Sequence, residues 1–521
     1  MAFKRSRHQR QSRSAEFLQQ PNGVVHGRVR KVGPEHFGIV SIDCAKARSK
    51  WMLADFYGNV LIPPTEVAHN RVELTAAVQQ VCAALAKHEV RDCLVAIERT
   101  GRYHHPVKNA FAKADFETRL VHPFTTKQLR QPADPDNKTD DTDLKAIHRA
   151  AVNGFALLEA APLESWRELQ LSIRHRRDLV RKSSALACQI REHLDAALPG
   201  YAACFDKLWE SNVAMRLVRQ FGSAQGVLAA GKAALGEFLY QQKVRFQPRT
   251  LDTVLTWAQN AAAADVAAEL HRQIALAYHD DHERKSLEII GLERDIAHRL
   301  AQTPYILLLS CPGINVVSAA DFAGEMGPIE NYANCRSISG RAGLFPTRHQ
   351  SDRVDHSGRL ARRCNRALRA AILGIADNLI LCNAHFRNLA NIWKLTGKDP
   401  RMTHVKVAAR FCRIAFQMVA GRQVFRHPCL HERNYILQKL LAFHVEHQTP
   451  MHDTMRDLHQ TITHIPKSEH AAEAKPLQER MQGTKRGKTG PQPIREAIAI
   501  VLARLGVGVI NSNPSGDQDL T

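Results

Sequence analysis

Asp140 and Asp143 stand three residues apart in NKTDDTD at 137–143, directly ahead of the apolar-periodic run LKAIHRAAV at 144–152. In a helix that spacing sets both carboxylates on one face, where like charges repel by roughly a few tenths of a kcal/mol. A cation beside them removes the repulsion, and oxygen-only ligand sets suit Mg²⁺ or Mn²⁺. Asp141 points about a third of a turn away and is read as solvent-facing or supporting. The same acids also fit a helix N-terminus, where Asp complements the helix dipole. Two further acids favour the metal reading. Asp43 lies in the apolar strand GIVSIDCAK, and Glu98 closes LVAIE just before RTG. A carboxylate there is either buried at a cost or placed at the strand end to act, and strand ends of open α/β sheets are where ligands and metals bind. Asp43, Glu98, Asp140 and Asp143 together could hold two divalent cations, an arrangement that stabilises the attacking and leaving oxygens of a phosphodiester.

A second group lies far along the chain. RHQSD places Ser351 in an arginine-flanked loop. A serine hydroxyl is a weak nucleophile until a base or metal activates it. Its advantage over water is that a phosphoserine link conserves the phosphodiester energy, so strands can be rejoined. Arg348, Arg353, Arg359, Arg362 and Arg363 can carry phosphate charge through their planar forks. Ser357 in DHSG is the rival, and a loop serine without a role is the plain alternative.

The elements that must position these residues follow from periodicity. Residues 36–62 alternate as a small antiparallel meander, 65–88 has helical spacing, 92–100 and 117–123 are short buried strands, and a helix lies near 103–115. This is an α/β layer with strands buried on both faces. Long helices are expected at 165–198, with a heavily basic face, and at 282–302; they would form an antiparallel hairpin, a coiled-coil arm or part of an ordinary bundle. PGI at 312–314 between two helices resembles a hairpin turn that offers backbone N–H groups to phosphates. Residues 337–363 read as loop and 364–380 as helix. Beyond 427 periodicity weakens, 467–493 reads as linker, and 495–507 as one isolated helix. The division expected is a basic disordered arm at 1–35, an α/β domain at 36–156, a helical or coiled-coil region at 157–302, a mostly α-helical unit at 303–426 and a partly disordered accessory tail at 427–521.

Charge narrows the partner. The chain has 521 residues, a net charge of +21 and only 6% aromatics. Residues 336–426 carry 18 Lys/Arg against 4 Asp/Glu, and residues 1–34 carry 8 against 1. Such an excess favours nucleic acid through phosphate neutralisation, and the arm and the basic face of 165–198 are candidate backbone or RNA contacts. The eleven cysteines form no CxxC pair, which fits free thiols in a reducing compartment. No apolar run approaches a membrane span, and the Arg/Ser-rich start lacks the apolar core of a secretory signal.

The order Asp, Glu, Asp-x-x-Asp resembles the RuvC-like nuclease domains of the RNase H superfamily. IDCAK, AIERTGRYHHPV and NKTDDTDLKAI resemble the blocks of DEDD-type insertion-sequence transposases, the bridge-RNA-guided serine recombinases. CPGINVVSAADFAGEMG and GRAGLFPTRHQSDRVDHSGRLARRCNRALRAAI are similar to that family's C-terminal transposase domain, although Asn315 stands where such turns often carry Gly. The resemblance covers about 36–156 and 303–425. It implies that the four acids are catalytic, that Ser351 is the nucleophile, and that double-stranded DNA (element ends and target) is the substrate. It also implies a structured noncoding guide RNA, and a homo-oligomer, dimer or tetramer, in which Ser351 of one subunit meets the acids of another. The expected setting is cytoplasmic, nucleoid-associated and bacterial-type. Two alternatives remain: a RuvC-like nuclease using water with Ser351 idle, and an inactive RNA/DNA-binding scaffold.

Overall fold

The computed structural model describes residues 25–132, 137–159, 164–206, 208, 211–351, 354–397, 399–430, 433–482 and 493–507, with the side chains of 349, 354–357, 482 and 493 excepted. The chain divides into two units, at 1–161 and 162–521.

In the first unit the strands are β1 (Phe37–Cys44), β2 (Arg48–Asp55), β3 (Val60–Ala68), β4 (Asp92–Glu98), β5 (Glu117–Val121) and β6 (Leu157–Leu158). They form one sheet in the order β3-β2-β1-β4-β5-β6. The expected meander is β1–β3, antiparallel, and β1, β4 and β5 run parallel. The helices are α1 (His26–Val32), α2 (Arg71–Lys87), α3 (His104–Lys113), α4 (Pro123–Arg130) and α5 (Asp140–Val152). Strand alternation sorts the core into two layers. Val40, Ile42, Val95 and Ile97 pack with Leu74 and Val81 of α2 and with Val107 and Phe111 of α3. Phe37, Ile39, Leu94 and Ala96 pack with Val29 of α1 and with Ile147, Ala150 and Ala151 of α5. Asp43 shares the parity of Phe37 and Ile39, and Glu98 that of Leu94 and Ala96. Both acids therefore belong to the α5 side.

Part of the stretch expected as a basic disordered arm, 1–35, is ordered. Residues 26–32 form α1, whose Val29 is buried together with the preceding Val25. Arg28 donates to Asp92 at 2.9 Å and to Glu117 at 2.8 Å. The remaining arm, 1–24, lies outside the described residues.

The second unit begins with two 34-residue helices, α6 (Glu164–Ala197) and, after α7 (Ala214–Phe221), α8 (Ala224–Gln241) and α9 (Pro248–Gln259), α10 (Ala268–Ala301). Arg176 bonds Glu293 at 2.5 Å and His193 bonds His271 at 2.8 Å, a pairing that runs the helices antiparallel over about 50 Å. One end of this pair builds a core with α7–α9. The other end, through Leu169, Ile173, Ile296 and Leu300, joins a core made by everything that follows.

That remainder is α11 (Val316–Met326), α12 (Cys335–Ala342), β7 (Pro346–Ser351), β8 (Val354–Leu360), α13 (Arg366–Cys382), α14 (Ala384–Leu395), α15 (Pro400–Ala420), α16 (Ile436–Glu446), α17 (Met451–Ile462), α18 (His470–Gln482) and α19 (Pro493–Arg504). Residues 337–363, expected as loop, contain most of α12 and an antiparallel hairpin, β7–β8. The tail differs more. Ile436, Leu440, Leu458, Leu477, Val501 and Leu502 are buried in the same core as α11 and α13. Within the expected linker, 470–482 is α18, and 483–492 lies outside the described residues. The tail's apolar residues are spread over four short helices, so each gives a weak periodic signal, and packing supplies the stability that propensity lacks. Among the described residues no single helix is long and apolar enough to cross a membrane.

Candidate functional site

Asp43 is the penultimate residue of β1 and pairs in register with Lys50 of β2. The parallel register of β1 with β4 runs to Ile42 opposite Ile97, which makes Glu98 the next neighbour of Asp43. Across from them α5 begins at Asp140. Its first turn is fixed by a reciprocal cap: Thr139 Oγ1 accepts from Thr142 N at 3.2 Å, and Thr142 Oγ1 accepts from Thr139 N at 3.0 Å. The cap orients the helix start, so Asp140 and Asp141 are exposed and Asp143 is buried against the sheet. Asp141 turns aside to an ion pair with Lys50 at 2.7 Å.

The Asp43 carboxyl is pushed up to about 6, by burial first and then by the negative charges of Glu98, Asp143 and Asp140, with Lys138 opposing. The structure thus brings the four sequence-predicted acids within electrostatic reach of one another. A carboxyl destabilised by three neighbouring carboxylates sits in a field that a divalent cation would relieve, and carboxylate oxygens are the kind of ligand Mg²⁺ and Mn²⁺ take. Two features lie outside the sequence expectations. Arg130 at the end of α4 donates to Asp143 Oδ1, and both side chains are largely buried. Among the described residues, the group whose ligand atoms converge within 4.8 Å of one another is His279, Asp280 and Glu283 on α10, not the four acids. That cluster is able to hold a divalent cation; Asp280 also pairs with Arg219. Its i, i+1, i+4 spacing in HDDHE was the available signal.

Ser351 belongs to the second unit. It is the last residue of β7, exposed, and pairs with Val354. The expected loop is therefore the end of a hairpin strand, and Ser357 lies within the ladder opposite Arg348. Arg348 and Arg359 are exposed on the same hairpin, Arg362 and Arg363 are exposed before α13, and Arg353 lies outside the described residues. The basic face expected on α6 is partly engaged inside the protein. Arg174 and Arg177 both bond Glu325 of α11, which is fully buried.

Comparison with known proteins adds the family. A family model described as "Transposase" matches residues 40–199, and one described as "Transposase IS116/IS110/IS902 family" matches 305–391. The chain is 26% identical over 232 residues to the insertion element IS900 uncharacterized 42 kDa protein of Mycobacterium paratuberculosis, covering 42% of this chain and 55% of that protein. The chain thus spans little more than half of that relative. It is 23% identical to a probable family 20 transposase of Pseudomonas aeruginosa, over 66% of this chain and 90% of that one. To the insertion element IS110 uncharacterized 43.6 kDa protein of Streptomyces coelicolor it is 22% identical, over 54% and 70%. The first match begins in the strand that carries Asp43 and contains all four acids; the second holds Ser351 and the arginine hairpin. Two such matches in one order, together with similar relatives that are insertion-element proteins or a transposase by name, assign the chain to the IS110/IS902 family of insertion-sequence transposases.

Proposed function

We propose that the chain is a DNA-cutting enzyme that moves an insertion sequence, and that Asp43, Glu98, Asp140 and Asp143 carry its strand cleavage with Mg²⁺ or Mn²⁺. The observation that carries this reading is the placement of Asp43 and Glu98 at neighbouring strand ends on the α5 side, with Asp140 and Asp143 in the first turn of that helix; the raised Asp43 carboxyl agrees with it. A bound pair of divalent cations supplies charge stabilisation for the attacking and leaving oxygens. The protein's part is to hold the carboxylates at the carboxyl ends of the central strands β1 and β4 and on the first turn of α5, with Lys50 and Arg130 fixing Asp141 and Asp143. The geometry of this unit supports best a RuvC-like, metal-dependent cleavage in which water attacks. The intact acid set speaks against an inactive scaffold. In a Mg²⁺-dependent cleavage assay on double-stranded element-end DNA, Asp43→Asn should bind DNA and not cut it. Full cleavage by that variant would remove the assignment.

A second reading rests on Ser351, which is exposed at the end of a strand in the hairpin that also carries Arg348 and Arg359. Here the Ser351 Oγ–P bond forms as the P–O bond to the departing strand breaks; the hydroxyl proton is lost and the departing oxygen is protonated. Rejoining reverses the step. Guidance by a structured RNA, assembly into a dimer or tetramer, and a cytoplasmic, nucleoid-associated setting come with the resemblance. The basic charge and the exposed arginines of 348–363 support nucleic-acid contact in general. Purified protein with DNA alone, set against protein with RNA transcribed from the element, tests the guide.

A further inference from the structure

Among the described residues β7 and β8 pair with each other and with no further strand. Pro346, Thr347, Arg348, Gln350, Ser351, Gly358 and Arg359 are exposed. A lone hairpin of this size is marginal in water, so its direction depends on its base. That base is built around one side chain. Arg369, one turn into α13, donates from Nε to Ala342 O at 2.8 Å and from Nη2 to Gly343 O at 3.2 Å. The same Nη2 also donates to Ala361 O. A single guanidinium therefore ties the chain entering the hairpin to the chain leaving it. The surroundings are shaped to admit it. Gly343 has φ 63°, and a Cβ there would clash with Arg369 Nη2 and lie 2.8 Å from Cys364 Cβ. The joint is anchored in turn. Ala361 N donates to Phe345 O at 3.1 Å and Asn365 N to Arg341 O at 2.8 Å. Asn365 Nδ2 donates to the buried Glu325 at 3.2 Å.

We propose that Arg369 is a positioning residue that fixes the angle of the hairpin and so sets where Ser351 is presented to a DNA phosphodiester. The inference rests on the Ser351 reading, but the clamp itself is measurable without it. The strand from Pro346 to Ser351 spans about 17 Å from base to tip. A rotation of about 10° at the base then moves Ser351 by roughly 3 Å, and a misplacement of about 1 Å can cost on the order of a hundredfold in rate.

The test compares wild type, Arg369→Met, Arg369→Lys and Gly343→Ala, each checked for folding by circular dichroism. Amide hydrogen exchange is followed at Leu344–Thr347 and Leu360–Ala361. Adduct formation is followed with a nicked element-end duplex and the element's own RNA. Arg369→Met should speed exchange at the base and slow the covalent serine–DNA adduct by about a hundredfold, while DNA affinity stays within about twofold. Arg369→Lys, which can still reach one carbonyl, should recover part of the rate. Gly343→Ala, which displaces the guanidinium without removing it, should behave like Arg369→Met. Unchanged base exchange in Arg369→Met overturns the clamp. Faster exchange with an unaltered adduct rate overturns positioning. If wild type forms no adduct, the serine reading falls, and with it the catalytic consequence of the clamp, while the exchange result still judges the clamp alone.

Discussion

Arg130 and Asp143 form an ion pair between the end of α4 and the first turn of α5, with side-chain exposures of 12% and 8%. The pair neutralises the most buried of the four candidate carboxylates, and it also occupies an oxygen that a cation would use. Removing the arginine should therefore have two opposed effects. Arg130→Met should destabilise the metal-free protein by about 2–4 kcal/mol, because a buried carboxylate loses its partner. It should also enlarge the gain in melting temperature on adding Mg²⁺, since a ligand that binds only the folded state stabilises by mass action. Melting curves with and without Mg²⁺ measure both. Equal Mg²⁺ gains in variant and wild type would separate Asp143 from the metal.

Asp43 provides a pH test. Its folded carboxyl titrates near 6 instead of near 4, chiefly through burial and the charge of Glu98. Between those values the folded protein holds a proton that the unfolded chain has released, so stability falls as pH rises from about 4 to 6. A two-unit shift corresponds to at most about 3 kcal/mol, less after solvent screening of a group that is not fully buried. Asp43→Asn should flatten that slope, raise metal-free stability at pH 7–8 by about 1–2 kcal/mol, and abolish cleavage, a gain in stability at the expense of function. Loss of stability in Asp43→Asn at pH 7.5 would contradict this account.

What could be read from the sequence follows from periodicity. The apolar runs of β1 and β4 mark both as strands that end in Asp43 and Glu98, and the apolar period after Asp140 and Asp143 marks their helix; that the two strand-end acids share the α5 side is seen only in the fold. Arg130 and Lys50 were not legible as partners, because a pairing between elements leaves no local pattern. The β7–β8 hairpin was hidden for a similar reason. Pro346, Thr347, Arg348, Gln350 and Ser351 are all exposed, so no hydrophobic alternation marks β7 as a strand. The tail helices α16–α19 share one core with α11 and α13, and only the assembled core shows why Leu477 and Val501 are apolar.

The basic face of α6 is less open to nucleic acid than its charge suggests. Glu325 accepts from Arg174 at 3.0 and 2.9 Å and from Arg177 at 3.0 Å. Burial raises its carboxyl, but the bonds from Arg174 and Asn365 and the two guanidinium charges outweigh burial and hold it below its usual range. These arginines are structural. The double variant Arg174→Ala/Arg177→Ala should lower stability by about 3 kcal/mol or more, since it strands a buried charge. It should leave the salt dependence of DNA binding unchanged. Arg359→Ala and Arg362→Ala should instead reduce the slope of log K against log salt by about 0.9 for each phosphate no longer neutralised. A reduced slope in the α6 double variant would return that face to nucleic-acid binding.

The choice between water and serine turns on a covalent bond, and the hairpin sharpens it. A serine nucleophile is joined to DNA during the reaction; a water-using enzyme never is. Ser351 ends β7, three positions before the first residue of β8, and its side chain is exposed. Ser357 lies inside the ladder opposite Arg348, where its backbone is committed to pairing, so Ser351 is the better placed of the two to meet a phosphodiester. A duplex designed to stall after the first cut should give a denaturation-resistant adduct that maps to Ser351. Ser351→Ala should lose the adduct and rejoining together, while Ser357→Ala keeps both. The serine reading also requires a base or metal to activate the hydroxyl; if the four acids supply it, Asp43→Asn should lose the adduct as well. An adduct on Ser357 would transfer the role. Strand cutting by Ser351→Ala at the wild-type rate, with no adduct in either protein, would leave water as the nucleophile and the four acids as the whole of the cleaving machinery.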